Sequence, residues 1–545
     1  MSSNKAPQLK VNSVLSLFSN RQFSDAIDAI DLLKIDYPKD ELLLNINGAC
    51  YAGLGQFDAA IELYEEALLI NPNYAKVYFN LGGAYHELSQ LDEAVINYKK
   101  SLDIDPSFAE AQNNLGNVYK ELDQLDKAID SYQKALVINP KYAEAHYSIA
   151  ITFQLLDEFK KMIEHLEVLI SIQPKFFEAY NYLGIALKET GQFKSAVKAY
   201  EQAIAIKPDS VEVHNNLGNV LKELGQLNKA VESYKKAISI NSEYPTLQNN
   251  LGNVFKELGK MDEAVDAYQK ALILNPENPE THNNLGEIFR ELNKLDKAVK
   301  HYREVIYLDP DNFNTHNNIG TVFRELNQYD EAIKSYKKAI SIYPEYAEAI
   351  NNIGNVFKEL DQYDEAIQSY NKALSIDPYY FESCFNLGVA HQKHGSFEDA
   401  IKAYMKVLEI NPDYVDAHNN LANIYQELGQ TDKAISGFTE ALKIDSSLAK
   451  IHRNLSILKK YKEGDEQISQ MKDLLSQEKI NISDRINLCF ALAKVYRDLD
   501  NKDELFKFLN KGNQLRKKQL NYSINDDKER HYSYRSLFES HSSVL

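Results

Sequence analysis

Seven pairs of adjacent asparagines mark this chain: Asn113-Asn114, Asn215-Asn216, Asn249-Asn250, Asn283-Asn284, Asn317-Asn318, Asn351-Asn352 and Asn419-Asn420. Each pair lies in a segment that reads as helix, as in HNNLGNVLKELGQ from His214 to Gln226. Asn is a poor helix former, because its amide competes for backbone hydrogen bonds. Compositional drift toward Asn would scatter such residues, yet the pairs recur at multiples of 34. An amide offers two donor hydrogens and an acceptor oxygen, the complement of a peptide group. The chemistry on offer is therefore recognition of backbone, repeated at intervals, rather than bond making.

Other reactive residues point the same way. His146, His214, His282, His316 and His418 share one phase of the 34-residue interval, so whole repeats separate them and they cannot hold one metal. Half-buried packing between hairpins is their expected role. Cys50, Cys384 and Cys489 form no CxxC, which suggests buried reduced thiols rather than a disulfide framework or a zinc site. No nucleophile–base set, carboxylate pair or nucleotide loop can be assembled, so no cofactor and no catalytic residue are expected. With 61 basic and 79 acidic residues the net charge is −18, which argues against nucleic acid. No signal peptide or membrane-length apolar run is visible, so a cytoplasmic protein without a membrane partner is expected.

The elements that carry these residues follow from the period. Units begin at 41, 75, 109, 143, 177, 211, 245, 279, 313, 347, 381 and 415, twelve in register without insertion or deletion. Within a unit numbered 1 to 34, positions 4, 7, 11 and 14 form one stripe of a first helix. Position 8 is nearly always Gly and position 20 usually Ala, which lets two antiparallel helices approach closely. Position 24 is usually an aromatic, expected to fill the gap to the next unit. Position 32 is usually Pro, which stops the second helix. The unit Ala143–Phe176 departs from this, with Ala150, Met162, Leu166 and Leu169 at positions 8, 20, 24 and 27. Larger side chains there should splay that hairpin.

The unit resembles the tetratricopeptide repeat, from position 7 to about 480. The resemblance implies an all-α, right-handed superhelical solenoid of about 14 helical hairpins, whose apolar faces are buried only against neighbours. The expected organisation is a disordered N-terminus at 1–6 and a divergent first repeat at 7–40. Twelve regular repeats follow at 41–448, then a degenerate repeat at 449–482, a capping hairpin at 483–519 and a tail at 520–545.

In repeats of this family the first helices line a concave inner wall, and positions 2, 6, 9 and 13 should look into it. Position 6 is Asn at Asn80, Asn114, Asn216, Asn250, Asn284, Asn318, Asn352, Asn386, Asn420 and Asn454. Such a ladder is similar to that of the nucleocytoplasmic O-linked N-acetylglucosamine transferases, where it grips peptide backbones. The same asparagines could instead bond to the neighbouring hairpin and set the superhelix pitch, and the two roles are compatible. Ser148 and Tyr182 interrupt the ladder, leaving Val211–Tyr380 as the longest continuous stretch. Position 12 adds a basic row at Lys222, Lys256, Arg290, Arg324 and Lys358, and position 13 an acidic row, which either select charged side chains or form solvated ion pairs of little worth. A carboxylate clamp of the cochaperone type is not expected, because positions 2, 5 and 6 hold Glu and Asn rather than Lys or Arg.

The segments FALAKVYRDL and GNQLRKKQLNYS, within Phe490–Ser523, are similar to the end of the repeat arm in bacterial tetratricopeptide–sulfotransferase fusions. There a catalytic domain with a phosphosulfate loop follows, and no such loop occurs here. The first expectation is thus a non-catalytic scaffold for extended polypeptides. The alternative is the substrate-recruiting arm of a sulfotransferase or glycosyltransferase whose catalytic domain is missing or acts in trans, with 520–545 a truncated linker.

Overall fold

The computed structural model describes residues 5–520, which form thirty helices and no strand. The chain is an all-α solenoid. It divides into two compact units between Thr281 and His282. The tail proposed for 520–545 lies outside the described residues beyond Leu520, as do residues 1–4 of the N-terminus.

Every regular repeat folds alike. The first helix covers positions 1–13 and the second 17–30, as in Ala109–Glu121 with Leu125–Ile138 and Ala347–Glu359 with Tyr363–Ile376, and only Phe381–His394 runs one residue longer. Two local devices punctuate the helices. At position 15 the backbone turns left-handed in all twelve repeats, with φ from 54° to 86°. Six of these residues are glycine, which has no Cβ to clash. The others are Ser89, Asp123, Asp157, Asn293, Asn327 and Asp361, whose short polar side chains tolerate this region better than most. At position 31 an Asn or Asp closes a turn: Asn71 Oδ1 accepts from the amide of Asn73 (3.2 Å), Asp105 from Ser107 (3.0 Å) and Asn139 from Lys141 (3.1 Å). That side chain holds the chain in place as it leaves the second helix, one residue before the proline.

The core is built from positions 3, 7, 8, 10, 20, 24 and 27. Positions 3 and 10 do not belong to the stripe that the apolar pattern suggests. Position 3 is small in most repeats, as at Ala111, Ala145 and Thr281, and position 10 is Val or Ile in most, as at Val118, Val220 and Ile288. Position 24 packs on both sides. Its tyrosine lays its ring against the position 8 glycine of its own hairpin, and at Tyr404 the hydroxyl accepts from Asn420 of the next repeat. A Cβ on those glycines would come within 2.4 to 3.0 Å of the ring. The tyrosine hydroxyl then donates to position 9: Tyr132 to Asn117 (2.8 Å), Tyr234 to Asn219 (2.6 Å), Tyr370 to Asn355 (2.9 Å), Tyr336 to Thr321 (3.1 Å).

In the repeat Ala143–Phe176, Ala150, Met162, Leu166 and Leu169 are all buried within one apolar cluster. Leucine replaces tyrosine where alanine replaces glycine, so the smaller side chain leaves room for the added methyl group. After Ala449 the helices shorten, to Ala449–Leu458 and Glu466–Ser476. A longer pair follows, Ile482–Asp498 and Lys502–Gln519, with Tyr496 stacked on Phe508 at 5.5 Å.

Candidate peptide-binding face

In the pairs Asn113-Asn114, Asn249-Asn250, Asn317-Asn318 and Asn351-Asn352 the two asparagines have different surroundings. Position 5 is buried between repeats at Asn113, Asn181, Asn249, Asn317 and Asn351, all at most 5% exposed, and half-buried at Asn215, Asn283 and Asn419. Position 6 is half-buried on the first-helix face. The position 6 amide reaches back one repeat and donates to the position 5 oxygen. Asn80 Nδ2 donates to Asn45 Oδ1 (2.9 Å), Asn250 to Asn215 (3.0 Å), Asn352 to Asn317 (3.0 Å) and Asn386 to Asn351 (3.4 Å). The position 5 amide reaches forward and donates to the position 2 glutamate of the next repeat. Asn181 bonds Glu212, Asn249 bonds Glu280 and Asn317 bonds Glu348, each at 2.9 Å. Hydroxyls at position 3 add to this: Thr281 donates to Asn249 and Ser383 to Asn351, both at 3.0 Å. The pairs thus form a zipper from repeat to repeat, made of side chains and not of side chain to backbone.

A second zipper runs beside it. The position 12 cation meets the position 13 carboxylate of the next repeat: Lys222 with Glu257 (4.0 Å), Arg290 with Glu325 (2.9 Å), Arg324 with Glu359 (3.9 Å). These pairs are partly exposed, so each contributes little alone. Lys358 instead donates to Asn386 Oδ1 (2.8 Å), and burial lowers its pKa. The position 4 histidines also link successive repeats. Nε2 of His146, His214, His316 and His418 donates to the carbonyl of Pro140, Pro208, Pro310 and Pro412, at 2.8 to 3.1 Å. A carbonyl only accepts, so these rings carry their proton on Nε2. Two of the first-helix histidines, His146 and His282, meet a second ring, His165 and His301, with Nδ1 atoms 3.0 Å apart in each pair.

What these bonds leave available is the acceptor side of the position 6 row. Asn216 and Asn250 use Nδ2 toward the preceding repeat, and their Oδ1 atoms have no partner among the described residues. Asn318 stands at an equivalent place and Asn284 on the same row, whereas Asn114 Oδ1 lies 3.5 Å from Asn113 Nδ2, and Asn420 accepts from Asn419 at 3.4 Å and donates to the Tyr404 hydroxyl. Asn352 Oδ1 lies 3.5 Å from Asn355 Nδ2, and Asn386 Oδ1 is taken by Lys358. The three cysteines are buried, and burial pushes the Cys50 thiol up to about 11. No group of three metal-ligating side chains occurs among the described residues, and no described helix is long and apolar enough to cross a membrane.

Family models described as TPR repeat and Tetratricopeptide repeat match residues 48–157, 186–378 and 393–448. The chain therefore belongs to the tetratricopeptide-repeat proteins. No curated protein matches it. Similar solved structures include MamA, 27% identical over 30% of this chain and 97% of that one, TM-score 0.29. The Cut9–Hcn1 hetero-tetramer of the APC/C is 16% identical over 81% and 94%, TM-score 0.36. YrrB, described as a TPR protein with an unusual peptide-binding site, is 23% identical over 34% and 96%, TM-score 0.31.

Proposed function

We propose that this chain is a non-catalytic scaffold that binds extended polypeptides along its first-helix face, with the position 6 asparagines as backbone contacts. The carrying observation is that the inter-repeat zipper holds Asn216 and Asn250 by Nδ2 and leaves Oδ1 open. Fixed acceptors in successive repeats suit the amide hydrogens of an extended chain whatever its side chains. Each neutral hydrogen bond contributes a net of about 0.5–1.5 kcal/mol, so several are needed to offset the ordering of a flexible ligand. Lys222, Lys256, Arg290, Arg324 and Lys358 flank the row and add charge selectivity, at Lys222, Arg290 and Arg324 where a ligand carboxylate competes with Glu257, Glu325 and Glu359.

The test is selection from a displayed library of random peptides, followed by affinity measurement on the winners. Changing Asn216, Asn250, Asn284, Asn318 and Asn352 together to Ala should weaken binding at least about tenfold while the circular dichroism stays helical. Unchanged affinity in a folded variant would make the asparagines purely architectural. A second reading, a recruiting arm for a sulfotransferase or glycosyltransferase acting in trans, rests on the resemblance of Phe490–Ser523. A thermal shift with the donor nucleotide and the candidate transferase tests it.

A further inference from the structure

In the first compact unit Phe79, Tyr147, Ser148 and Tyr182 interrupt the amide zipper, and the break at Ser148 leaves a buried amide unheld. Asn113 is buried, 4% exposed, like the other position 5 asparagines. One repeat on, however, position 6 is Ser148, too short to reach it. Asn113 Oδ1 is left without a partner, and its Nδ2 makes only a 3.5 Å contact with Asn114. Glu144 is the counterpart of Glu212, Glu280 and Glu348, yet no amide reaches it as Asn181, Asn249 and Asn317 reach those three.

A pocket of about 380 Å³ opens at this point, lined by Asn113, Tyr142, Glu144, Tyr147, Ser148 and Phe176, among others. Its walls are rings, with Tyr147 and Phe176 edge to face at 5.4 Å. Its only charged lining residue is the Glu144 carboxylate. Aromatic faces attract a cation, a carboxylate pairs with it, and an unheld amide oxygen and a hydroxyl accept its hydrogens. Arginine presents a flat cation with five donors, and so matches this set better than lysine.

We infer that the pocket beside Ser148 receives an arginine side chain of the bound polypeptide and fixes the register of an otherwise sequence-tolerant ligand. The inference rests on the proposed binding of extended chains along the same face. It makes the serine interruption the site of side-chain selection, while the regular asparagines contact backbone.

The probes are four fluorescein-labelled nonapeptides of alternating serine and alanine, differing only in a central arginine, lysine, norleucine or glutamate. The full chain should bind the arginine peptide about tenfold or more tightly than the norleucine peptide, with lysine between. Glu144→Gln should reduce that ratio to about threefold or less while leaving the norleucine affinity unchanged. Ser148→Asn should do the same by restoring the amide to Asn113, and should also raise the thermal midpoint. A merely structural role predicts the raised midpoint alone. Equal binding of arginine and norleucine peptides, or a preference that survives Ser148→Asn, overturns the pocket assignment and leaves backbone binding standing. Failure of all four peptides to bind at millimolar concentration overturns the binding face and this inference with it.

Discussion

Asn352 Nδ2 donates to Asn317 Oδ1 at 3.0 Å, across 35 residues, and Asn317 Nδ2 donates in turn to Glu348 at 2.9 Å. Asn317 is 1% exposed. Its neighbour Asn318 is half-buried on the open face. Adjacent identical residues should therefore respond differently. Asn317→Ala strands buried partners and should cost about 1–3 kcal/mol, whereas Asn318→Ala should stay within about 0.5 kcal/mol. Hydrogen exchange of the helices Phe313–Glu325 and Ala347–Glu359 reads the difference locally, which suits a repeat chain whose unfolding need not be two-state.

The glycine–tyrosine contact yields a paired test. In Gly354→Ala the new Cβ would lie 2.6 Å from Tyr370 Cε1, so the ring must move. Overpacking of this kind costs about 1–3 kcal/mol. The double variant Gly354→Ala with Tyr370→Leu copies Ala150 and Leu166 and should recover part of the loss, despite forfeiting the hydroxyl bond to Asn355. A double variant less stable than Gly354→Ala alone would show that the alanine–leucine pair works only in its own repeat.

At the left-handed turn, Asp157→Gly removes a Cβ clash at φ 56°. It should stabilise by up to about 1 kcal/mol, and more than Asn327→Gly, because Asn already tolerates that region. Urea midpoints of the two variants, compared with the parent, measure this.

The histidine pairs make stability depend on pH. His165 faces His146 and stacks on Phe153; His301 faces His282 and Phe289, with Lys297 and Lys300 nearby. Burial and then the neighbouring ring lower both from 6.5 to about 4. Between those values the unfolded chain binds protons that the folded chain refuses. The contribution is therefore fully present above pH 6.5 and lost as pH falls toward 4. Thermal midpoints from pH 7 to 5 should decline, and the double variant His165→Phe, His301→Phe should flatten that slope before the carboxylates titrate.

The hairpin, its period and its helix stops were legible because large apolar residues, glycine and proline announce themselves. Position 3 was not, since Ala, Thr and Ser look neutral until a neighbouring helix covers them, and the Val and Ile of position 10 fall one residue before the position 11 stripe. The asparagine pair was visible but undivided: nothing in the string NN says that one amide is buried and the other half open. That depends on the offset between successive first helices, which packing sets. The glycine at position 8 signalled close approach, but only the structure shows that its partner is the tyrosine sixteen residues on, as in Gly354 and Tyr370. The left-handed turn was written in the sequence as Gly, Asp, Asn or Ser at position 15 and went unread, because only half of those residues are glycine.

The zipper also bears on how such a chain can grow. Each link joins a residue to one 35 further on, a single period plus one. Excising residues 313–346 would place Asn352 over Asn283, where Asn318 had stood, and the amide would meet the same kind of acceptor. Duplication or loss of whole 34-codon segments is therefore nearly silent for the packing within the run of paired asparagines. It is disruptive beside Ser148, where a shifted copy would close or multiply the gap. Within that run the array is free to change length by unequal recombination, while the seam beside Ser148 is inherited as a fixed landmark.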